Sequence, residues 1–179
     1  MEGHLVELPR TPVELSECVP ELVGRLIGVK VEWGAASRVD EEGVERWGTV
    51  PIGVKGELPE GLKEDLPRIR GTLEAALSGD SSEMIAVCLS RLALHCRLPD
   101  LSETEYALLM DDYVEDLRDF PPAAVHAVCR AWRRSSRFWP HVSELRERLS
   151  EKVSDWRLGL THLQHIERAI EREERTAAS

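Results

Sequence analysis

The chain has 179 residues, of which 31% are charged and 42% are hydrophobic, and its formal net charge is -10. This composition excludes a disordered polyanion and a membrane-embedded protein. It also excludes a protein that wraps duplex DNA over its whole surface, because neutralising phosphate groups requires a cationic footprint.

The N-terminal sequence has no basic segment followed by an apolar run, and no apolar stretch approaches the ~18 residues needed to span a bilayer. We therefore expect a cytoplasmic protein that makes no membrane contact. Its cysteines are expected to be reduced thiols, most of them packed as small hydrophobic residues in helices: Cys18, Cys88, Cys96 and Cys129.

Residues 1–64 combine one apolar segment with a high density of glycine. The segment from Val13 to Leu26 is compatible with a helix, whereas the glycines that follow it disfavour one. The pieces VKVEW and WGTVPIGV alternate β-branched and other residues, which is typical of a short hairpin. An irregular arm or linker is the alternative for this region.

From Leu66 the pattern becomes helical. Residues 66–77 and 81–95 are two apolar-periodic segments, separated by a Ser-Gly-Asp turn that supplies an N-cap at Ser81 or Ser82. A third helix is predicted to begin at Ser102, where Glu105 completes a capping box. Its apolar residues recur at steps of three and four and form one stripe: Tyr106, Leu109, Met110, Tyr113, Val114 and Leu117.

A fourth helix follows Phe120-Pro121-Pro122 and is ended by Pro140. A fifth runs from about His141 to Glu174, with Gly159 as a point where it is expected to kink or end. We therefore predict a mainly α fold, a small orthogonal bundle of about four to five helices with a long C-terminal helix. The predicted organisation is an arm (1–64), a helical domain (65–150) and an extended C-terminal helix or tail (151–179).

The fourth helix has a basic face. No acidic residue lies between Phe120 and Val142, and the arginines of this stretch step by three, four and three, so a helix brings them to one side: Arg130, Arg133, Arg134 and Arg137. His126 falls at the edge of this face. Like charges at this spacing repel, so a compensating anion is expected. It is either the acidic preceding helix or an external phosphate or carboxylate, which arginine binds in bidentate geometry.

Aromatic residues flank these arginines. Trp132 lies on the apolar stripe and is expected in the core. Phe138 and Trp139 either wedge two helices together or stack on the bases of a single strand. The candidate contact surface for a partner or nucleic acid is therefore Arg130, Arg133, Arg134, Arg137 and Trp139.

The stretch 106–145 resembles a family of small helical phage and prophage replication proteins. Tyr106 to Leu117 and Phe120-Pro121 are followed by Ala131-Trp132-Arg-Arg and by Phe138-Trp139-Pro140-His141-Val-Ser-Glu144-Leu145. This pattern is similar to the helical domain of replicative-helicase loaders, including the lambda-type replication protein P and the loader and inhibitor proteins of Bacillus phages. It covers about residues 85–150. Trp139 stands where the family has Phe, and His141 replaces the capping Thr.

This resemblance implies a non-enzymatic adaptor that binds a replicative helicase through one part and an origin protein or single-stranded DNA through another. The expected protein-docking helix is the C-terminal one, whose seam holds Trp156, Leu160, Leu163 and Ile170. The same seam is a candidate for self-association. The alternative is that this helix folds back on the rest of the chain.

Motifs of catalysis and cofactor binding are absent from the sequence. It has no phosphate-binding P-loop, no Gly-x-Ser-x-Gly elbow and no His-Glu-x-x-His helix, so we expect no catalytic residue, no cofactor and no metal. The pairs His95-Cys96 and His126-x-x-Cys129 lack the spacing of a zinc site. The second interpretation is a helical DNA-binding protein of phage packaging or regulation, with residues 121–137 as recognition helix. A hydrolase or nuclease is the third.

Overall fold

The structure is a computed structural model that describes residues 11–39 and 41–178. In this part of the chain six helices and one two-stranded sheet follow in the order α1 (Pro12–Ile27), β1 (Val31–Val39), β2 (Glu45–Val54), α2 (Leu62–Leu77), α3 (Ser82–Ala93), α4 (Glu103–Leu117), α5 (Pro122–Ser135) and α6 (Val142–Ala177). The mainly α class predicted from the sequence is confirmed. No helix in the described residues combines the length and apolarity needed to cross a membrane.

The glycine-rich region is not an irregular arm. Residues 12–27 form a helix that begins with a capping box between Thr11 and Glu14, in which each residue satisfies a backbone N–H of the other. Of the two alternatives for this region the hairpin is the one observed, because β1 and β2 pair antiparallel, with one shift of register between Glu32 and Trp33. The first ten residues of the predicted arm lie outside the described residues.

The compact units of the chain do not follow the predicted domain boundaries. The first unit contains the described residues up to Pro20 together with Gly71–Arg157, and the second contains Glu21–Arg70 together with the residues from Leu158 onwards. The residues beyond position 150 are therefore not a separate tail. Segments distant in sequence join in each unit because their apolar faces are buried together. The residue pattern within one segment does not predict which distant segment it packs against.

In the first unit the core is built from one face of each helix. Helix α3 buries Ile85, Leu89 and Leu92, and α4 buries Tyr113 and Leu117. The buried side of α5 and the first half of α6 complete this core with Val125, Val128, Trp132, Leu145, Leu149, Val153 and Trp156. Burying these side chains drives the assembly of the helices, at about 1.5–3 kcal/mol for each large aliphatic residue.

The second unit holds the base of the hairpin by contacts with the second half of α6. Glu173 accepts a hydrogen bond from the backbone N–H of Val54 at 2.7 Å, and the His162 ring donates one to the carbonyl of Val29 at 2.8 Å. Gly159 does not interrupt α6. A Cβ there would lie 2.8 Å from Val23, so this glycine allows α1 and α6 to approach closely.

Candidate partner-binding groove

Helix α5 is the most buried helix of the first unit. Eight of its 14 residues are buried, and it begins at Pro122 without a side-chain cap. It ends at Ser135, because Ser136 is extended. Arg137 therefore lies beyond the helix, which corrects the prediction of four arginines on one helical face. Arg130, Arg133 and Arg134 remain on the helix.

The arginines differ in their surroundings. Arg130 is one-third exposed and forms an ion pair with Glu17 of α1. Arg133 is half-buried, whereas Arg134 is exposed. The guanidinium of Arg137 lies 5.9 Å from the centre of the Phe138 ring. Over residues 11–39 and 41–178, no carboxylate forms an ion pair with Arg133, Arg134 or Arg137. The acidic helix α4 therefore does not supply the anion that was expected to compensate these arginines.

A groove of about 440 Å³ lies over the outer side of α5, within the first unit. Its floor contains the small side chains of Ala127 and Ala131. The walls come from α1, α5 and α6 and are formed by Ser16, Glu17, Pro20, Arg130, Arg134 and Lys152. We call this cleft the α5 groove. Three of its residues are cations and one is an anion, so it offers a concentrated positive charge on a strongly acidic protein.

A second hollow, of about 250 Å³, adjoins the α5 groove. It shares Ala127, Ala131 and Lys152 with the groove and adds Arg148, Glu151 and Asp155 of α6. The guanidinium of Arg148 stacks over the Trp132 ring at 4.5 Å, which fixes its position. The two hollows together form a channel that is lined by small apolar side chains and edged by charges of both signs.

A buried hydrogen bond holds the α1 wall of this groove in place. The Ser16 hydroxyl donates to the carbonyl of Val13 at 2.7 Å and lies 2.7 Å from Nδ1 of His126. The Nδ1–H tautomer of His126 is the one that allows Ser16 to donate to Val13 and to accept from the ring at the same time.

His126 is therefore a core residue, which corrects its predicted place at the edge of the basic face. Only 6% of the side chain is exposed. Burial lowers the pKa of His126, and the nearby cations Arg130, Arg133 and Arg91 lower it further. The neutral ring positions α1 against α5 and so shapes the groove without contributing charge to it.

The His and Cys pairs of the sequence do not form a metal site. Within the described residues, no three His, Cys, Asp or Glu side chains are arranged to hold an ion. Burial raises the pKa of Cys88 to about 11 and that of Cys129 to about 12, as is usual for thiols packed among apolar side chains. These cysteines are packing residues of the α3–α5 contact.

The corner between α5 and α6 partly buries Trp139 and leaves Phe138 exposed. Trp139 is half-buried, and its ring packs at 5.4 Å against that of Tyr113, whose hydroxyl donates to the carbonyl of Pro140. It is therefore a wedge between helices, and its predicted place in the contact surface is not supported. Phe138 is 58% exposed, and its carbonyl accepts a hydrogen bond from the Trp132 indole at 2.8 Å.

The predicted protein-docking helix does not present an open seam. Trp156, Leu163 and Ile170 are buried, with exposures of 2%, 0% and 8%, and Leu160 is half-buried. Each packs into the core of the unit that contains it. The alternative interpretation, in which this helix folds back on the chain, is the one observed, and the same burial removes the seam as a site of self-association.

The sequence analysis did not identify two charged residues of the α5 groove, Glu17 and Lys152. Neither belongs to a motif, and the two lie far apart in the chain, so only the packing of α1 and α6 beside α5 brings them together.

A search of protein-family models, of curated proteins and of solved structures found no match to this chain.

Proposed function

We propose that the chain is a non-enzymatic adaptor of DNA replication that binds an acidic segment of a replicative helicase in the α5 groove. The observation that supports this proposal is the convergence of Arg130, Arg134 and Lys152 on one groove with an apolar floor. Of these three cations, Arg130 alone has a carboxylate partner among the described residues. The free cations are available to carboxylates of another molecule.

The shape of the site favours a bound peptide over duplex DNA. A recognition helix must protrude in order to enter a major groove that is about 12 Å wide. Helix α5 has more than half of its residues buried and forms the floor of a channel between α1 and α6. It is therefore shaped to receive an inserted chain, which counts against residues 121–137 as a DNA-recognition helix.

The mixed charge of the channel favours a protein segment over single-stranded DNA. Glu17 lies among the cations, and Glu151 and Asp155 edge the adjoining hollow. A nucleic-acid backbone, which is anionic at every step, would meet these carboxylates as well as the cations. An amphipathic peptide can place acidic residues against Arg134 and Lys152, small apolar residues on the alanine floor, and neutral or basic residues beside Asp155.

The choice of a replicative helicase as the partner is supported by the resemblance to helicase loaders. The residues that carry this resemblance, from Tyr106 to Leu145, lie within the first unit and include the whole of α5. In such adaptors the chain supplies contacts and the helicase supplies the ATP-driven work. The chain itself then needs no catalytic residue.

The test is the mass and affinity of the complex with a purified replicative helicase hexamer. We expect the wild-type chain to bind and the double variant Arg134→Glu, Lys152→Glu to lose at least about tenfold in affinity, equivalent to about 1.4 kcal/mol. The matched control is Arg157→Glu, Arg168→Glu, which changes the net charge equally at two exposed cations outside the groove.

Three outcomes would contradict the proposal. The wild-type chain fails to bind the helicase, the groove variant binds as tightly as wild type, or both double variants lose affinity equally. Retardation of a labelled duplex with a steep salt dependence would instead support the DNA-binding alternative.

A further inference from the structure

The outer half of the β1–β2 hairpin exposes large apolar side chains. Trp47 is 71% exposed, Val39 64% and Val44 51%. These residues flank the turn of the hairpin, whereas the inner half is fixed by contacts with α6 in the second unit. The ring of Trp33, for example, packs edge to face against the ring of His165, with the two ring centres 4.8 Å apart. The exposed tryptophan is notable because indole groups are costly to leave in water and dominate binding surfaces.

The register of the hairpin places its two tryptophans on one face. Trp33 is opposite Pro51, Ala35 is opposite Thr49, and Ser37 is opposite Trp47. Because side chains alternate between the faces of a strand, these pairs share a side of the ribbon. The rows of Trp33 and Trp47 are four residue steps apart along the strand, a span of about 13 Å. The face between them holds only the small side chains of the Ala35–Thr49 row.

The sequence from Ser37 to Trp47 holds four acidic residues, at positions 40, 41, 42 and 45, and two arginines, at positions 38 and 46, so its net charge is negative. Glu41 and Glu45 have no cationic partner in the part of the chain that the structure describes, and Glu42 pairs with Arg46 at 3.9 Å. Phosphate is repelled by such a surface, so stacking of Trp47 on the bases of a nucleic acid is disfavoured. A lysine or arginine side chain is attracted both by these carboxylates and by the face of the indole ring.

We propose that this surface, formed by Trp33, Ala35, Trp47 and Thr49 with Glu41 and Glu45 beside them, is a second docking site that binds a cationic, apolar segment of a partner protein. An extended segment would place apolar side chains between the two indoles and its lysines or arginines against Glu45 and Glu41. This chemistry is opposite to that of the α5 groove, so the two sites select different partners. An adaptor requires such a pair of sites, but the inference stands on the hairpin alone.

The test uses the isotope-labelled full chain and a peptide of about eight residues that alternates lysine and valine. The chain has five tryptophans, so five indole N–H signals are expected in a proton–nitrogen spectrum. We expect addition of the peptide to shift the signals of Trp47 and Trp33, and to leave those of Trp132, Trp139 and Trp156 in place. Trp47→Ala should lower the affinity for the peptide at least about tenfold.

Matched controls separate this site from attraction to an acidic protein in general. Leu108→Ala removes another exposed apolar side chain, and Asp111→Asn, Asp112→Asn removes the same charge on α4 as Glu41→Gln, Glu45→Gln does on the hairpin. Only the hairpin variants should weaken binding. Both Leu108 and Trp47 are more than half exposed, so neither change should alter the melting temperature.

The proposal is overturned if a glutamate–valine peptide binds as well as the lysine–valine peptide, or if the α4 variant weakens binding as much as the hairpin variant. It is also overturned if Trp47 shifts with a thymidine oligonucleotide instead of with the cationic peptide. A signal of Trp47 that depends on the concentration of the chain alone would show that a second copy occupies the surface, which equally contradicts a cationic partner segment.

Discussion

Helices α4 and α5 are consecutive in the chain and nearly equal in length, yet they are stabilised in different ways. Helix α4 buries only two of its 15 residues and begins with a complete capping box between Ser102 and Glu105. Helix α5 has no side-chain cap and buries eight of its 14 residues. Local hydrogen bonds thus define the first helix, whereas tertiary packing defines the second.

The two helices also differ in charge, and the difference is not cancelled between them. The acidic residues of α4 and the turn after it are Glu103, Glu105, Asp111, Asp112, Glu115, Asp116 and Asp119. Among the described residues, the ion pair that this acidic group forms is the local one between Glu115 and Arg118. The carboxylate that pairs with Arg130 of α5 is instead that of Glu17 in α1. An acidic and a basic surface therefore coexist in one unit.

The contrast between α4 and α5 predicts the largest loss of stability for Trp132→Ala in α5. Trp132 is 6% exposed, donates a hydrogen bond to the carbonyl of Phe138, and supports the guanidinium of Arg148. Its truncation should lower the free energy of unfolding by about 3–5 kcal/mol, measured by urea denaturation. Leu108→Ala on α4 should change it by less than about 0.5 kcal/mol. Equal losses in the two variants would contradict the contrast between the helices.

A smaller loss of stability is expected when the pH is lowered, because His126 then becomes protonated. Burial lowers the pKa of His126 below the 6.5 of an unperturbed histidine, so the unfolded chain takes up this proton at a higher pH than the folded chain does. The stability that depends on the neutral ring is complete above about pH 6.5 and is lost as the pH falls from there through the lowered folded value. Urea denaturation at a series of pH values measures this loss.

The variant His126→Gln, which keeps a hydrogen-bond donor for Ser16, should lack this part of the pH dependence. Burial also lowers the pKa of His165, but that histidine is present in both proteins and cancels in the comparison. If the variant and the wild type lose stability in parallel between neutral pH and acid, His126 is not the group that titrates.

Much of the secondary structure was predictable because its signals are local. The three-and-four spacing of Tyr106, Leu109 and Tyr113, the Ser102–Glu105 capping box and the proline pair before α5 each act within a few residues, and the structure has helices at all of these places. The hairpin was predictable from alternation within its own strands. Gly159 misled the prediction because its role depends on contact with Val23, which is far away in the sequence.

The groove was only partly predictable. Arg130 and Arg134 were found from their spacing on a helix that carries no acidic residue. Lys152 and Glu17 were not found, since their proximity depends on how α1 and α6 pack beside α5. The burial of His126 was missed for the same reason, because its partner Ser16 is separated from it by 110 positions.

The central proposal is that Arg130 and Arg134, the arginines of the α5 groove, are surplus to folding and serve a partner. The direct test is the free energy of unfolding of the variant Arg130→Gln, Arg134→Gln, measured together with its affinity for the helicase. We expect stability within about 1 kcal/mol of wild type, because exposed ion pairs contribute little, and a loss of affinity of at least about tenfold. A variant that is several kcal/mol less stable, or one that binds as wild type does, would contradict the account.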